Sequence, residues 1–133
     1  MTFKFEIDLS RTIARCKIPG EPHAWERAGR DGFRTFDTKA NKEAKKTIQQ
    51  FLKLANPNID RNPEFGNFGC IFLFATLNKR SDVDNLAKLI LDACNGFVWK
   101  DDRQVVELYV RVERMPAADP ETQIFIYRMP EGG

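Results

Sequence analysis

Two short acidic segments hold the residues best suited to chemistry. The first is Arg80-Ser81-Asp82-Val83-Asp84-Asn85-Leu86-Ala87-Lys88. Asp82 and Asp84 stand two residues apart, so in an extended segment their carboxylates point to the same side. Carboxylates are hard oxygen donors of the kind magnesium prefers. Two of them close together repel unless a cation or a proton intervenes. The bland alternative is that Asp82 caps a helix and Asp84 complements its dipole, and for a bare D-x-D that alternative weighs more. Lys88 follows Asp84 by four residues and shares its helix face, with Asn85 and Asp92. It is either half of an ordinary intrahelical ion pair or an ammonium that meets charge building on a phosphate.

The second segment is Trp99-Lys100-Asp101-Asp102-Arg103-Gln104-Val105. It follows a helical pattern and precedes an alternating one. If helix and strand form a hairpin-like unit, this loop returns toward the helix or an adjacent strand end. A third carboxylate there completes a cation site that leaves positions for water and phosphate. Taken alone, Asp101-Asp102 reads more simply as turn chemistry.

The elements that must position these residues follow from periodicity. Phe3–Ile7 and Ile13–Ile18 alternate as strands do, and Ile18-Pro19-Gly20-Glu21-Pro22 is a turn. His23–Asp37 is polar, basic and glycine-containing, a long loop or loose hairpin. Thr38 caps a helix that runs to about Leu54, with Ala40, Ala44, Ile48, Phe51 and Leu52 as its apolar stripe and Lys42, Lys45 and Lys46 largely off it. Ala55–Gly66 reads as loop. Phe68–Leu77 is nearly all apolar, as expected of a buried central strand. A second helix is expected from about Val83 to Asn95, with Leu86, Leu89, Ile90, Ala93 and Phe97 toward the core and Asn95-Gly96 as its stop. Trp99–Arg103 is a short charged loop. From Gln104 the chain alternates, with Val106, Leu108, Val110 and Val112 on one face and Glu107, Tyr109, Arg111 and Glu113 on the other. A turn over Met115–Thr122 leads to a last strand at Ile124–Tyr127. The expected fold is a single α+β domain over residues 1–133, a mixed or antiparallel sheet on two main helices.

Composition narrows the function classes. A chain of 133 residues with 42% hydrophobic residues and 11 Phe can bury a core, which argues against disorder. No apolar run approaches the roughly 20 residues that span a bilayer, and the N-terminus lacks a signal-peptide core, so a cytoplasmic protein is expected. Cys16, Cys70 and Cys94 form no C-x-x-C pair, which argues against a zinc site or a disulfide framework. His23 is the only histidine, so any Ser-His or Cys-His mechanism must route through it. The net charge of +2 identifies no nucleic-acid binder by itself. Basic residues do crowd at Arg27–Arg34, Lys39–Lys46 and Lys79–Arg80, each of which is by default a solvated face.

Residues 80–106, RSDVDNLAKLILDACNGFVWKDDRQVV, closely resemble the RusA family of Holliday junction resolvases. That family's signature is D-x-D-N-L-x-K, then a helix, then D-D-x-Q-V. Both parts occur here in order and at fitting spacing, which is far more specific than either fragment. Ile18-Pro19-Gly20-Glu21-Pro22, followed by Arg27, Arg30 and Arg34-Thr35-Phe36, is similar to the family's G-x-P segment with its basic, aromatic-ended hairpin. The segment Glu21–Ala28, with His23, Trp25 and Glu26, fits more loosely.

The resemblance implies a homodimer that binds four-way junctions and makes paired, symmetric nicks with Mg²⁺, Mn²⁺ being a substitute. It places the three essential aspartates, the metal ligands, on Asp82, Asp84 and Asp102, and the motif lysine on Lys88. Asp101 ranks below Asp102. It also implies a phage or bacterial source. Binding should rest on phosphate contacts, with Arg27, Arg30, Arg34, Lys79 and Arg80 as candidates. The principal rival is a protein that binds branched DNA without cutting it, its aspartates being caps and turns. An enzyme of phosphoryl transfer on small substrates is disfavoured by the lack of a glycine-rich phosphate loop. A phage structural protein leaves the compound acidic motif unexplained.

Overall fold

The computed structural model describes residues 12–27, 29–31, 34–57 and 66–130, with the backbone alone over 29–31 and 34–36. The strand expected at Phe3–Ile7 lies outside the described residues, as does most of the loop expected at Ala55–Gly66. The elements in chain order are β1 (Thr12–Pro19), β2 (Gly29–Asp31), β3 (Arg34–Phe36), α1 (Lys39–Ala55), β4 (Phe68–Thr76), α2 (Val83–Cys94), a 3₁₀ turn (Asp102–Gln104), β5 (Val105–Arg114) and β6 (Glu121–Arg128). They make the expected α+β fold. β2 and β3 pair as a small antiparallel hairpin within the stretch read as loop or hairpin.

The main sheet has the order β1-β6-β4-β5. β6 is antiparallel to both β1 and β4, whereas β5 is parallel to β4. β4 is thus central, as its apolar run demands, with Phe68, Cys70, Ile71 and Phe72 at most 1% exposed. Gly69 lies under the ring of Tyr127 on β6, and a side chain at Gly69 would have to displace that ring.

The parallel pair differs from the hairpin-like unit expected around α2. Parallel neighbours need a crossover of a dozen residues or more, and residues 77–104, with α2 inside them, supply it. One consequence matters for the site. The start of α2 lies near the C-terminal end of β4, and Asp101-Asp102 lies at the other end of the helix, where Val105 pairs with Phe68.

The core is one cluster between helices and sheet. α2 contributes Leu86, Leu89, Ile90 and Ala93, α1 contributes Ile48 and Leu52, and the sheet contributes Phe68, Phe72, Phe74, Ile124 and Ile126. Each fully buried side chain of this size contributes about 1.5–3 kcal/mol of transfer free energy. Thr38 caps α1 as expected, accepting from the Asn41 backbone N–H at 3.0 Å. The stripe on α1 needs one correction. Asn41 is fully buried, while Ala40, Ala44 and Phe51 are only partly so. Asn41 is polar, but its amide is satisfied on every side, as described below.

Trp99 likewise does not behave as part of a charged loop. It is fully buried, its ring centroid 5.7 Å from that of Phe68, and its indole N–H donates to Asn95 Oδ1 at 2.8 Å. Gly96, at φ +74°, makes the turn that follows α2. No helix among the described residues is long and apolar enough to cross a membrane.

Candidate active site

The first acidic segment is built by the turn that leaves β4. Glu21 holds this turn from outside: its carboxylate accepts from the Thr76 hydroxyl at 2.8 Å and from the Leu77 N–H at 2.5 Å. Arg114 donates to the Ser81 carbonyl at 2.7 Å, tying the same turn to the end of β5. Asp82 then caps α2, its Oδ1 accepting from the Asp84 N–H at 2.9 Å. The capping role weighed for Asp82 is therefore present. Asp84 sits in the first turn, where the helix dipole favours its charge. Both carboxylates are exposed.

The second segment repeats this construction at smaller scale. Asp101 caps the 3₁₀ turn, accepting from the Arg103 N–H at 2.9 Å, and Gln104 completes a capping box. Gln104 Oε1 accepts from the Lys100 and Asp101 N–H groups, and its Nε2 donates to the Gly66 carbonyl at 3.1 Å. This gives D-D-x-Q a mechanical meaning: Asp101 and Gln104 build the turn, and Asp102 is left to project. The Arg103 N–H bond is the main reason the Asp101 carboxyl titrates below the usual carboxylate range.

Asp84, Lys88 and Asp102 line one open groove of about 440 Å³ between α2 and β5, together with Asp92 and the apolar side chains Val83, Ala87, Leu91, Leu108 and Val110. Asp82 is not among the lining residues. The carboxylates are spread along this groove. Asp84 and Asp92 are eight residues apart on one helix, about 12 Å along its axis at 1.5 Å per residue. Asp102 belongs to the Asp92 end, where its charge helps to raise the pKa of Asp92. Among the described residues no group of three or more His, Cys, Asp or Glu side chains stands close enough to hold a metal ion. The donors are chemically right for a hard divalent cation. Within one chain they lie at the two ends of a groove.

In the sequence, Asp92 is one more member of a polar helix face. Its pKa is raised, first by burial, then by Asp102 and Asp37, against the lowering effect of Lys88 and Lys45. The signal available beforehand was its position four residues beyond Lys88. Of the basic candidates, Arg27, Lys79 and Arg80 are exposed, the latter two in the turn that leads into Asp82. The side chains of Arg30 and Arg34 lie outside the described residues. No thiol is poised as a nucleophile: burial pushes Cys16 up to about 12 and raises Cys70 and Cys94 as well.

The family model described as endodeoxyribonuclease RusA matches residues 19–127 of the 133. The chain belongs to the RusA endodeoxyribonuclease family. It is therefore an endonuclease that hydrolyses phosphodiester bonds, of a family of Holliday junction resolving enzymes that are generally dependent on a divalent metal. A comparison with curated proteins matched none. The RusA match takes in both acidic segments, the basic hairpin and the whole of β4, α2 and β5.

Proposed function

We propose that this RusA-family chain resolves four-way DNA junctions as a homodimer, by paired symmetric nicks that depend on Mg²⁺, with Mn²⁺ able to substitute. The observation that supports this reading best is the groove itself. It is lined by the motif residues Asp84, Lys88 and Asp102, beside a strand that carries exposed apolar side chains. Asp82, Asp84 and Asp102 would hold the divalent ion, whose chemistry there would be to offset phosphate charge and make a water more acidic. The Lys88 ammonium, in the same groove, stabilises negative charge as it builds on the phosphate oxygens. Arg27, Arg30, Arg34, Lys79 and Arg80 hold flanking phosphates, and binding weakens steeply with salt.

For the dimer, β5 is the strand proposed to meet its counterpart. β5 pairs with β4 on one side only among the described residues, and Val106 and Leu108 are 54% and 43% exposed. Two copies of β5 set antiparallel about Tyr109 place Glu107 opposite Arg111 and Leu108 opposite Val110. Such a pair also sets the start of one α2 against the end of the other, which brings Asp82 and Asp84 of one copy toward Asp102 of its mate. A two-fold protein then matches a substrate that needs two symmetric cuts.

The test is nicking of a labelled four-way junction with Mg²⁺, beside a linear duplex of the same sequence, for the wild type and Asp82→Asn. Paired nicks confined to the junction, absent with chelator and absent in the variant, are expected. Junction binding without nicking under both Mg²⁺ and Mn²⁺ would instead make the chain a branched-DNA binder that lacks the chemistry.

A further inference from the structure

We propose that Trp25 is a positioning residue for Lys88, its indole ring holding the ammonium at the groove where the phosphate is to lie. The proposal rests on the reading of Lys88 as the cation that serves the groove. Lys88 Nζ stands over the Trp25 ring, 3.8 Å from its centroid, well within the range of a cation–π attraction. Asp84 and Asp92, four residues to either side, are both within helical reach of Lys88. An ion pair with either would neutralise the ammonium and draw it along the helix. A ring attracts the cation without neutralising it, so its charge remains available to a phosphate. A lysine on an exposed helix face otherwise samples many rotamers, and ordering it in advance removes that cost from the reaction.

The ring is itself fixed by an unusual amount of polar structure for a loop. The Trp25 N–H donates to the Asn85 carbonyl at 2.9 Å, one turn of α2 before Lys88. The neighbouring Glu26 exchanges two bonds with buried Asn41: its N–H donates to Asn41 Oδ1 at 2.9 Å and its carbonyl accepts from Asn41 Nδ2 at 2.9 Å. Asn41 also donates to Asp37, whose carboxylate pairs with Lys45 at 2.5 Å. The segment is thus fastened to α1 and α2 at once, and the ring has a defined place. This assigns a purpose to the polar Asn41 within the apolar stripe of α1.

Single-turnover nicking of a four-way junction at saturating protein, with junction affinity measured in parallel, tests this for Trp25→Ala, Trp25→Phe, Lys88→Ala and the double variant Trp25→Ala/Lys88→Ala. Trp25→Ala should slow nicking roughly 10-fold, as expected for loss of a partly desolvated cation–π contact. Junction affinity should stay within about twofold, and Trp25→Phe should recover most of the rate. In the Lys88→Ala background the tryptophan change should cost nothing further, because the two residues act as one. An equal loss in that background, a loss in affinity alone, or faster nicking by Trp25→Ala would each overturn the proposal. A second readout does not depend on activity. In the free wild-type protein the Lys88 ε-methylene protons should be shifted upfield by the ring current and return to ordinary positions in Trp25→Ala. Unshifted protons in the wild type would overturn the positioning claim, whereas shifted protons with no nicking would fault only the functional reading beneath it.

Discussion

The two aspartate pairs are built alike and placed apart. At the start of α2, Asp82 caps the helix and Asp84 is left to face the groove. At the 3₁₀ turn, Asp101 caps and Asp102 is left to face the groove. In each pair one carboxylate fixes the backbone that aims the next one. The difference lies in the caps. Asp101 shares its task with Gln104 in a box and has an Arg103 side chain 3.6 Å away, whereas Asp82 acts on a 12-residue helix with only Asn85 at 3.5 Å as a further partner. The second turn is therefore braced on all sides. Asp82 keeps one oxygen nearly free for a ligand.

Asparagine substitutions break this comparison most directly, since asparagine caps a helix as well as aspartate but is a far poorer ligand for a hard cation. Asp84→Asn and Asp102→Asn should each lower junction nicking by roughly 1,000-fold or more, the scale of losing a group that acts on transition-state charge. Their melting temperatures should stay close to that of the wild type. Asp101→Asn should leave both nicking and melting temperature near wild type. Loss of nicking in Asp101→Asn with its fold intact would make that residue a ligand rather than a cap.

Alanine sharpens the same contrast through stability. Asp82→Ala should cost about 1 kcal/mol in denaturant unfolding, the usual worth of an N-cap, and Asp101→Ala should lower stability as well by loosening the 3₁₀ turn. Asp84→Ala should cost only a few tenths through the helix dipole. The smallest effect is expected at Asp92, and its sign depends on pH. Burial raises the native pKa of Asp92 above the ordinary carboxylate range, so the native state holds this proton more tightly than the unfolded chain does. Stability from this group is full below the unfolded pKa and is lost as pH rises through the native one. Asp92→Asn should therefore be slightly more stable than wild type at pH 7, by less than about 1 kcal/mol given partial exposure. The gain should close as pH falls below the unfolded value. A gain that persists at low pH would place its cause elsewhere.

Much of this arrangement was legible because it is local. Thr38 and Asp82 announce their helices by cap chemistry, the apolar run of β4 announces its central place, and the spacing in D-x-D-N-L-x-K and D-D-x-Q-V carries the family. What the sequence hid depends on contacts distant along the chain. That β5 lies parallel to β4 decides which end of α2 Asp102 occupies, and no local pattern encodes strand direction. The expected gathering of Asp82, Asp84 and Asp102 rested on the second loop returning toward the helix or an adjacent strand end, and the crossover sets that loop at the far end of α2, where β5 begins. Buried Asn41 looked like one polar residue among many on α1, because its partners at Glu26 and Asp37 are fixed only by the fold. The contact between Trp25 and Lys88 spans two elements that share no sequence pattern.

The most direct test of a site divided between two copies is to mix inactive variants. Asp84→Asn and Asp102→Asn proteins are prepared separately, combined under conditions that allow subunits to exchange, and assayed for nicking of a four-way junction with Mg²⁺. In a mixed dimer with shared sites, one site carries both substitutions and the other carries neither. The account predicts that nicking returns in the mixture, as single rather than paired nicks, while each variant alone stays inactive. Mixtures that exchange subunits yet remain as inactive as their components would show that each copy must supply all of its own aspartates, and would contradict the account.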